Sequence, residues 1–113
     1  HATAAGKVAL AFTGAEPPSR LERFTERTIV EPAALAAELA RVRQRGYASA
    51  VEEREPGLAA VAAPVLGPGD ELAAVLGIQG PSARLDARAR RAALASLRRH
   101  ADRLSAELRG MGG

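Results

Sequence analysis

The sequence contains no cysteine, and this absence excludes several classes of protein at once. Without thiols the chain can form no disulfide framework, no thiolate metal site and no cysteine nucleophile. Histidine is almost as rare: His1 and His100 are poorly placed for a metal pair, and a solvated His100 is expected. We therefore expect no metal, no cofactor and a cytoplasmic protein.

Large apolar side chains are also scarce. Alanine supplies 27 of the 53 apolar residues, and Leu, Ile, Val and Phe together supply 24 of 113 residues. Because alanine buries little area per residue, we expect one small domain with a thin core. The longest apolar run, Leu58–Leu66, contains a proline and is far shorter than the roughly 20 residues of a bilayer span. Neither a transmembrane segment nor a signal peptide is predicted.

Aromatic residues are few and isolated, which bears on nucleic-acid binding. The chain has sixteen basic and thirteen acidic residues, and its only aromatic residues are Phe12, Phe24 and Tyr47. Nucleic-acid-binding chains concentrate bases on one face and interleave aromatics. Here the arginines between residues 88 and 109 are mixed with acids around a predicted helix, which indicates a solvated or subunit-facing surface. Direct DNA binding by this chain is not expected.

Local signals predict two helices in the first half of the chain. Residues 3–12 form a short helix with the threonine near its N-cap. A second helix begins at Pro32 and ends at Gly46, because proline favours the first helical position and glycine the C-terminal cap. Residues 14–30 are predicted to be a connection with one helical turn near residues 20–24.

After the second helix the pattern changes to the alternation typical of strands. Residues 47–52, 58–66 and 72–79 are predicted strands. A turn at residues 67–70 joins the last two as an antiparallel hairpin. Gly80-Pro81 is predicted to end the sheet.

A long helix is predicted over residues 85–108. Its apolar stripe is predicted to consist of Leu94, Leu97, Ala101, Leu104 and Leu108. The order is thus α-α-β-β-β-α, an α/β (α+β) fold with an antiparallel sheet flanked by helices. Because antiparallel sheets usually have more than three strands, we expect further strands from outside the chain.

None of the motifs that carry enzyme chemistry is complete. Gly6-Lys7 resembles the end of a phosphate-binding loop, but the upstream glycine and the following Ser or Thr are missing, which favours a helix packed through small residues. Glu52 and Glu53 are adjacent on a predicted strand, so their side chains point to opposite faces and at most one lines a cavity. Nucleophile elbows and dinucleotide fingerprints are absent from the sequence as well. We expect no enzyme activity.

Several short motifs, in register along the chain, resemble a known family. They are His1-Ala-Thr-Ala-Ala-Gly-Lys7, Phe24-Thr25, Val42-Arg43-Gln44-Arg45-Gly46-Tyr47-Ala48, Glu52-Glu53, Pro56-Gly57, Val61-Ala62-Ala63-Pro64-Val65 and Gly80-Pro81. In order and spacing they resemble the effector-binding region of IclR-type bacterial transcription regulators. The resemblance covers nearly the whole chain.

The resemblance implies a sensor domain similar to GAF and profilin-like folds. In that family an N-terminal winged helix-turn-helix binds operator DNA, and a C-terminal domain binds a small metabolite and mediates dimers or tetramers. Residues 1–113 would be the C-terminal part of the effector-binding domain, without the DNA-binding domain and the first strands of the sheet. The implied partners are a small-molecule effector, a second copy in a homodimer or homotetramer, and operator DNA only through the missing domain, with no membrane.

The same resemblance places the ligand pocket on small residues of the first helix and of the three strands. The implied ligand-binding residues are Ala4, Ala5, Ala50, Ala60, Gly77 and Gln79. Only Gln79 has a polar side chain, so a ligand would otherwise meet backbone N–H groups such as those at the start of the first helix. This composition favours a larger or less polar effector.

Two functions from different classes fit these residues. The first is an effector-sensing and oligomerisation domain of a transcription regulator. The second is an assembly module that mediates dimerisation or tetramerisation without a ligand. The alanines and the glycine at the pocket positions keep this second function open.

Overall fold

A three-stranded antiparallel sheet lies between two layers of helix in the computed structural model, which describes residues 1–112. The order α-α-β-β-β-α is confirmed. The elements are α1 (Ala4–Thr13), α2 (Pro32–Arg45), β1 (Ala48–Val51), β2 (Leu58–Leu66), β3 (Leu72–Pro81) and α3 (Ala87–Gly112), with a short 3-10 turn over Pro68–Asp70. Strand β2 lies in the centre, between β1 and β3.

The ends of the first two helices follow from local chemistry, as predicted. Thr3 is the N-cap of α1, and its hydroxyl accepts the N–H of Gly6 at 2.9 Å. Pro32 occupies the start of α2. Gly46 ends α2 with φ 83°, a left-handed conformation in which a side chain would be strained.

The register of the sheet sorts the small and the larger residues onto opposite faces. Ala48 pairs with Ala62, which pairs with Gly77, and these side-chain positions face α1. The next row toward the start of α1 consists of Ala50, Ala60 and Gln79. On the other face, a second cluster packs against α3 and contains Val61, Ala63, Val65, Leu97 and Ala101. The core is therefore thin, as expected, because α1 packs against a sheet face made of alanine and glycine.

Two local predictions are wrong, the end of the sheet and a helical turn in the connection after α1. Gly80-Pro81 does not end the sheet, because Gly80 still pairs with Ala59 and Pro81 with Leu58. Proline is tolerated there because β3 is an edge strand, where its missing N–H does not have to serve a second neighbour. Residues 20–24 form no helical turn; the connection turns instead near Thr28, whose hydroxyl accepts the N–H groups of residues 24 and 25.

The buried stripe of α3 also differs from the prediction at one position. Leu104 is 40% exposed, whereas Ser105 is 8% exposed. The Ser105 hydroxyl donates to the Ala101 carbonyl at 2.8 Å and accepts the N–H of Leu66 at 2.9 Å. The register between β2 and β3 is irregular at Leu66, and the hydroxyl supplies the acceptor that this N–H requires. The serine therefore faces the sheet and Leu104 faces outward.

Lys7 is completely buried and joins four parts of the fold. Its ammonium group donates to Glu38 of α2 at 3.0 Å, to Glu53 after β1 at 2.9 Å and to the carbonyl of Ser49 in β1 at 3.0 Å. The prediction of a helix at Gly6-Lys7 is confirmed, but nothing in the sequence assigns Lys7 this role. A buried charge is tolerated only when it is paired and hydrogen-bonded, and here all three ammonium hydrogens have acceptors.

The partners of Lys7 show the effect of this network. Burial alone would raise the pKa of Glu38, but the hydrogen bond from Lys7 and the charges of Lys7, Arg45 and Arg41 outweigh burial and hold the pKa below its ordinary value. Glu53 does not lie on a strand, because β1 ends at Val51 and Glu52 has φ 56°. The two adjacent carboxylates bind different partners, since Glu52 accepts the Ser82 hydroxyl at 2.9 Å.

The two leucines of α3 give a matched test of this packing. Leu97→Ala is expected to lower the free energy of unfolding by about 2–5 kcal/mol, because it leaves a cavity against β2. Leu104→Ala should change it by less than about 0.5 kcal/mol. Urea unfolding measures both, and equal losses would contradict the assignment of the buried face.

Two of the three cations beside Glu38 give a second matched test. Lys7→Met should cost about 3–5 kcal/mol of stability, because it leaves two carboxylates next to each other without their shared partner. Arg41→Met should lower the stability by less than about 1 kcal/mol, since the Arg41 side chain is 59% exposed and its Nε lies 3.6 Å from Glu38 Oε1. A Lys7→Met protein as stable in urea as Arg41→Met would show that the network does not hold the helices together.

Candidate functional site

Two adjacent cavities lie where the start of α1 meets the sheet. The larger, of about 320 Å³, is lined by Thr3, Ala4 and Ala5 of the helix start, residues 60–62 of β2 and residues 77–79 of β3. The smaller, of about 110 Å³, shares four of these residues and extends toward β1 and the segment after it. All six residues implied by the sequence resemblance lie on the walls: Ala4, Ala5, Ala50, Ala60, Gly77 and Gln79.

The antiparallel register explains why the strand residues meet. Ala50, Ala60 and Gln79 are direct cross-strand partners in one row, so their side chains share the face toward α1. Gly77 lies in the neighbouring row opposite Ala62. A Cβ on Gly77 would approach the Val61 carbonyl oxygen at 3.5 Å, an ordinary contact, so the glycine leaves space that a side chain would fill.

The start of α1 brings polar backbone groups to the same place. The hydroxyl and the carbonyl of Thr3 accept the N–H groups of Gly6 and Lys7. Within residues 1–112, the N–H groups of Ala4 and Ala5 have no acceptor, as is usual for the first turn of a helix. They lie at the wall of the larger cavity, where the positive end of the helix dipole favours a carbonyl or carboxylate oxygen.

Two charged residues outside the six implied positions line the smaller cavity. Glu53 is one, and one oxygen of its carboxylate binds the ammonium group of Lys7. Arg54 is the other, and its guanidinium lies over the ring of Phe24 at 3.9 Å from the ring centroid. No spacing rule could identify Arg54, because it lies in an irregular segment and Phe24 is distant in sequence. The expectation that at most one of Glu52 and Glu53 lines a cavity agrees with this arrangement.

A third and larger cavity lies away from these residues. It has a volume of about 630 Å³ between α1, residues 14–21 and α2. Its walls are mostly apolar, with Leu10, Leu35 and Leu39 among them and Glu16 and Arg43 as its charged residues. None of the six predicted residues lines it. Such walls can bury the apolar surface of a ligand but offer few polar groups to orient it.

Across the described range 1–112, no three His, Asp or Glu side chains lie close enough together to hold a metal ion. None of the helices in this part of the chain combines the length and the hydropathy needed to cross a bilayer. His100 is exposed on α3 and bonds the carbonyl of Ser96 one turn earlier, so it is a surface residue as predicted.

Comparison with known proteins connects this chain and its fold to a family. The family model for the C-terminal region of the bacterial transcriptional regulator IclR matches residues 1–106. The regulator BhcR of Paracoccus denitrificans is 43% identical over 97 residues, which cover 78% of this chain and 34% of that protein. The chain spans about a third of the length of the curated relatives it matches first.

Solved structures agree in fold. The C-terminal domain of Escherichia coli KdgR superimposes with a TM-score of 0.80 at 33% identity, covering 95% of this chain and 69% of that one. The inducer-binding domain of a PobR double mutant from Acinetobacter, in complex with 3-hydroxybenzoic acid, gives 0.83 at 30% identity, covering 93% and 64%.

These relatives and the family are transcription regulators rather than enzymes. The mixed α/β fold, the order of its elements and the motifs along the chain agree with the same assignment. The chain therefore belongs to the IclR family of bacterial transcription regulators and corresponds to its C-terminal region.

Proposed function

We propose that this chain is the effector-sensing part of an IclR-type transcription regulator. A small metabolite binds between the start of α1 and the sheet and modulates operator binding by the parent protein. The observation that carries this proposal is the convergence of Ala4, Ala5, Ala50, Ala60, Gly77 and Gln79 on two adjacent cavities. Further support comes from the likeness to an inducer-binding domain with a bound aromatic acid.

The walls favour an effector with an apolar body. Such a ligand gains mainly by burying apolar area, at about 25 cal/mol per Å². Gln79 orients it through one or two hydrogen bonds, and the free N–H groups at the start of α1 supply further donors. The small residues Ala50, Ala60 and Gly77 leave the volume that the ligand would fill.

Lys7 gives this site a connection to the rest of the fold. It lies one turn after the ligand-facing start of α1 and binds Glu38 of α2 and Glu53 beside the smaller cavity. A ligand that binds one position of α1 better than another therefore shifts α2 and the segment after β1 with it. DNA binding itself belongs to a domain outside this chain, and a cytoplasmic location follows from that role.

We also propose that the chain functions as a homodimer or homotetramer. Within the described residues the outer edges of β1 and β3 have no partner strand, and Ile78 on β3 is 37% exposed. An open sheet edge is a template for pairing, and the thin core leaves apolar surface to bury. The assembly-only alternative shares this surface and differs in having no ligand between α1 and the sheet.

Filling the site should abolish effector binding. Ala50→Leu occupies the smaller cavity, and Gly77→Leu occupies the larger one, with its Cβ at an ordinary 3.5 Å from the Val61 carbonyl oxygen. Gln79→Ala should weaken binding by only about 0.5–1.5 kcal/mol when its hydrogen bond is to a neutral group. A thermal-shift series with 3-hydroxybenzoate, hexanoate and pyruvate measures these effects.

Gly80→Leu is the control, because a Cβ there meets nothing within 4 Å and lies on the other face of the sheet. It should leave ligand-induced stabilisation unchanged. Full binding by Ala50→Leu and Gly77→Leu would show that the site is elsewhere. If no compound of any class stabilises the protein, the assembly-only function takes its place.

Self-association is the expected behaviour in solution. Sedimentation at about micromolar concentration should give a dimer or a larger species, because burial of the open edges favours association. Ile78→Lys should shift the distribution toward monomer, since an edge charge opposes strand pairing. A compact, stable wild-type monomer would disprove the proposed assembly.

A further inference from the structure

The α1–α2 groove is the surface cavity between α1, residues 14–21 and α2, with a volume of about 630 Å³. Its floor contains buried apolar side chains, among them Leu21 and Leu35. On the α2 side its wall contains Ala36 and Ala40, which are both exposed. Small side chains one helical turn apart let the backbone of a partner approach closely.

An exposed lip lies beside the floor of this groove. Residues 16–19, Glu-Pro-Pro-Ser, line the groove and are all exposed. The two consecutive prolines restrict the backbone, so this segment loses little conformational freedom when a partner covers it. A groove and a lip side by side can fit a second copy of themselves, because a two-fold axis brings the lip of each copy to the groove of the other.

The charges on the groove identify the kind of partner. Glu16 on the lip and Arg43 near the end of α2 are its charged wall residues. Both are exposed, and within residues 1–112 neither has an oppositely charged group within 4.0 Å. One acid and one base on the same patch complement that patch after a two-fold rotation, because Glu16 of each copy then faces Arg43 of the partner subunit.

The distribution of polar groups favours a protein over a small ligand. The polar side chains of the groove, Glu16, Ser19 and Arg43, are all exposed, whereas the floor is apolar. An apolar centre with a polar rim is the usual anatomy of a protein interface. The groove is also preformed, because the buried ammonium group of Lys7 binds Glu38 at 3.0 Å and holds α1 against α2.

We propose that the α1–α2 groove is a self-association interface, in which a second copy of this chain docks symmetrically and Glu16 binds Arg43 of the partner subunit. This inference rests on the self-association proposed above and adds a second surface to the open sheet edge. The two surfaces are separate, since no residue of β3 lines the groove. Each surface alone generates a dimer, and the two together allow a tetramer.

The test measures the two surfaces separately, by sedimentation velocity across the micromolar range. Ile78→Lys opposes edge pairing and should leave a dimer held by the groove. Adding Arg43→Glu or Glu16→Arg brings like charges together at both symmetry-related contacts and should weaken this dimer by at least about tenfold. Arg99→Glu on α3 is the matched control, because it reverses an exposed charge away from the groove and should leave the dimer unchanged.

An equimolar mixture of the two charge variants, each in the Ile78→Lys background, gives the decisive measurement. In a mixed dimer the two acids of one subunit face the two bases of the other, so mixing should restore the dimer. A folding defect cannot be repaired in this way.

Three results overturn the groove interface and leave edge pairing intact: a monomeric Ile78→Lys protein beside an associated wild type, charge variants that associate as tightly as the Arg99→Glu control, or a loss of affinity that mixing does not restore. A monomeric wild type removes the proposed assembly and this inference together.

Discussion

The position of α1 on the sheet depends on the buried ammonium group of Lys7. Three acceptors from α2, β1 and the segment after β1 converge on it, and each interaction fixes the helix relative to a different element. An unpaired charge would be very unfavourable in this interior, so the buried ammonium group requires these acceptors. The candidate site begins one turn earlier in the same helix, so its geometry depends on this network.

Small residues connect the stability of the domain with its proposed function. Alanine and glycine on one face of the sheet let α1 lie close to the strands and leave cavities beside the first turn of the helix. Larger residues at positions 50, 60 or 77 would increase the buried apolar area but fill the site. The thin core and the cavities thus have one cause, the small residues on the face toward α1, whereas the face that packs on α3 carries the larger valines and leucines.

The features that the sequence predicted well are those with local causes. Thr3, Pro32 and Gly46 act on backbone groups within a few residues, so the ends of α1 and α2 could be predicted. The end of β3 and the face of α3 near Leu104 could not, since each depends on a strand or helix far along the chain. For the site, the family motifs indicated the small residues but gave no sign of Arg54.

By itself the sequence determined the class of fold, the order of its elements and the small residues around the candidate site. Alternation, helix caps and short motifs are properties of neighbouring residues, and they act before the chain is folded. Only the tertiary structure decided that Lys7 would be buried, that Ser105 would face the sheet and that Arg54 would stack on Phe24 beside a cavity. These arrangements bring together residues separated by as many as 46 positions, and only packing of the complete fold determines which of them meet.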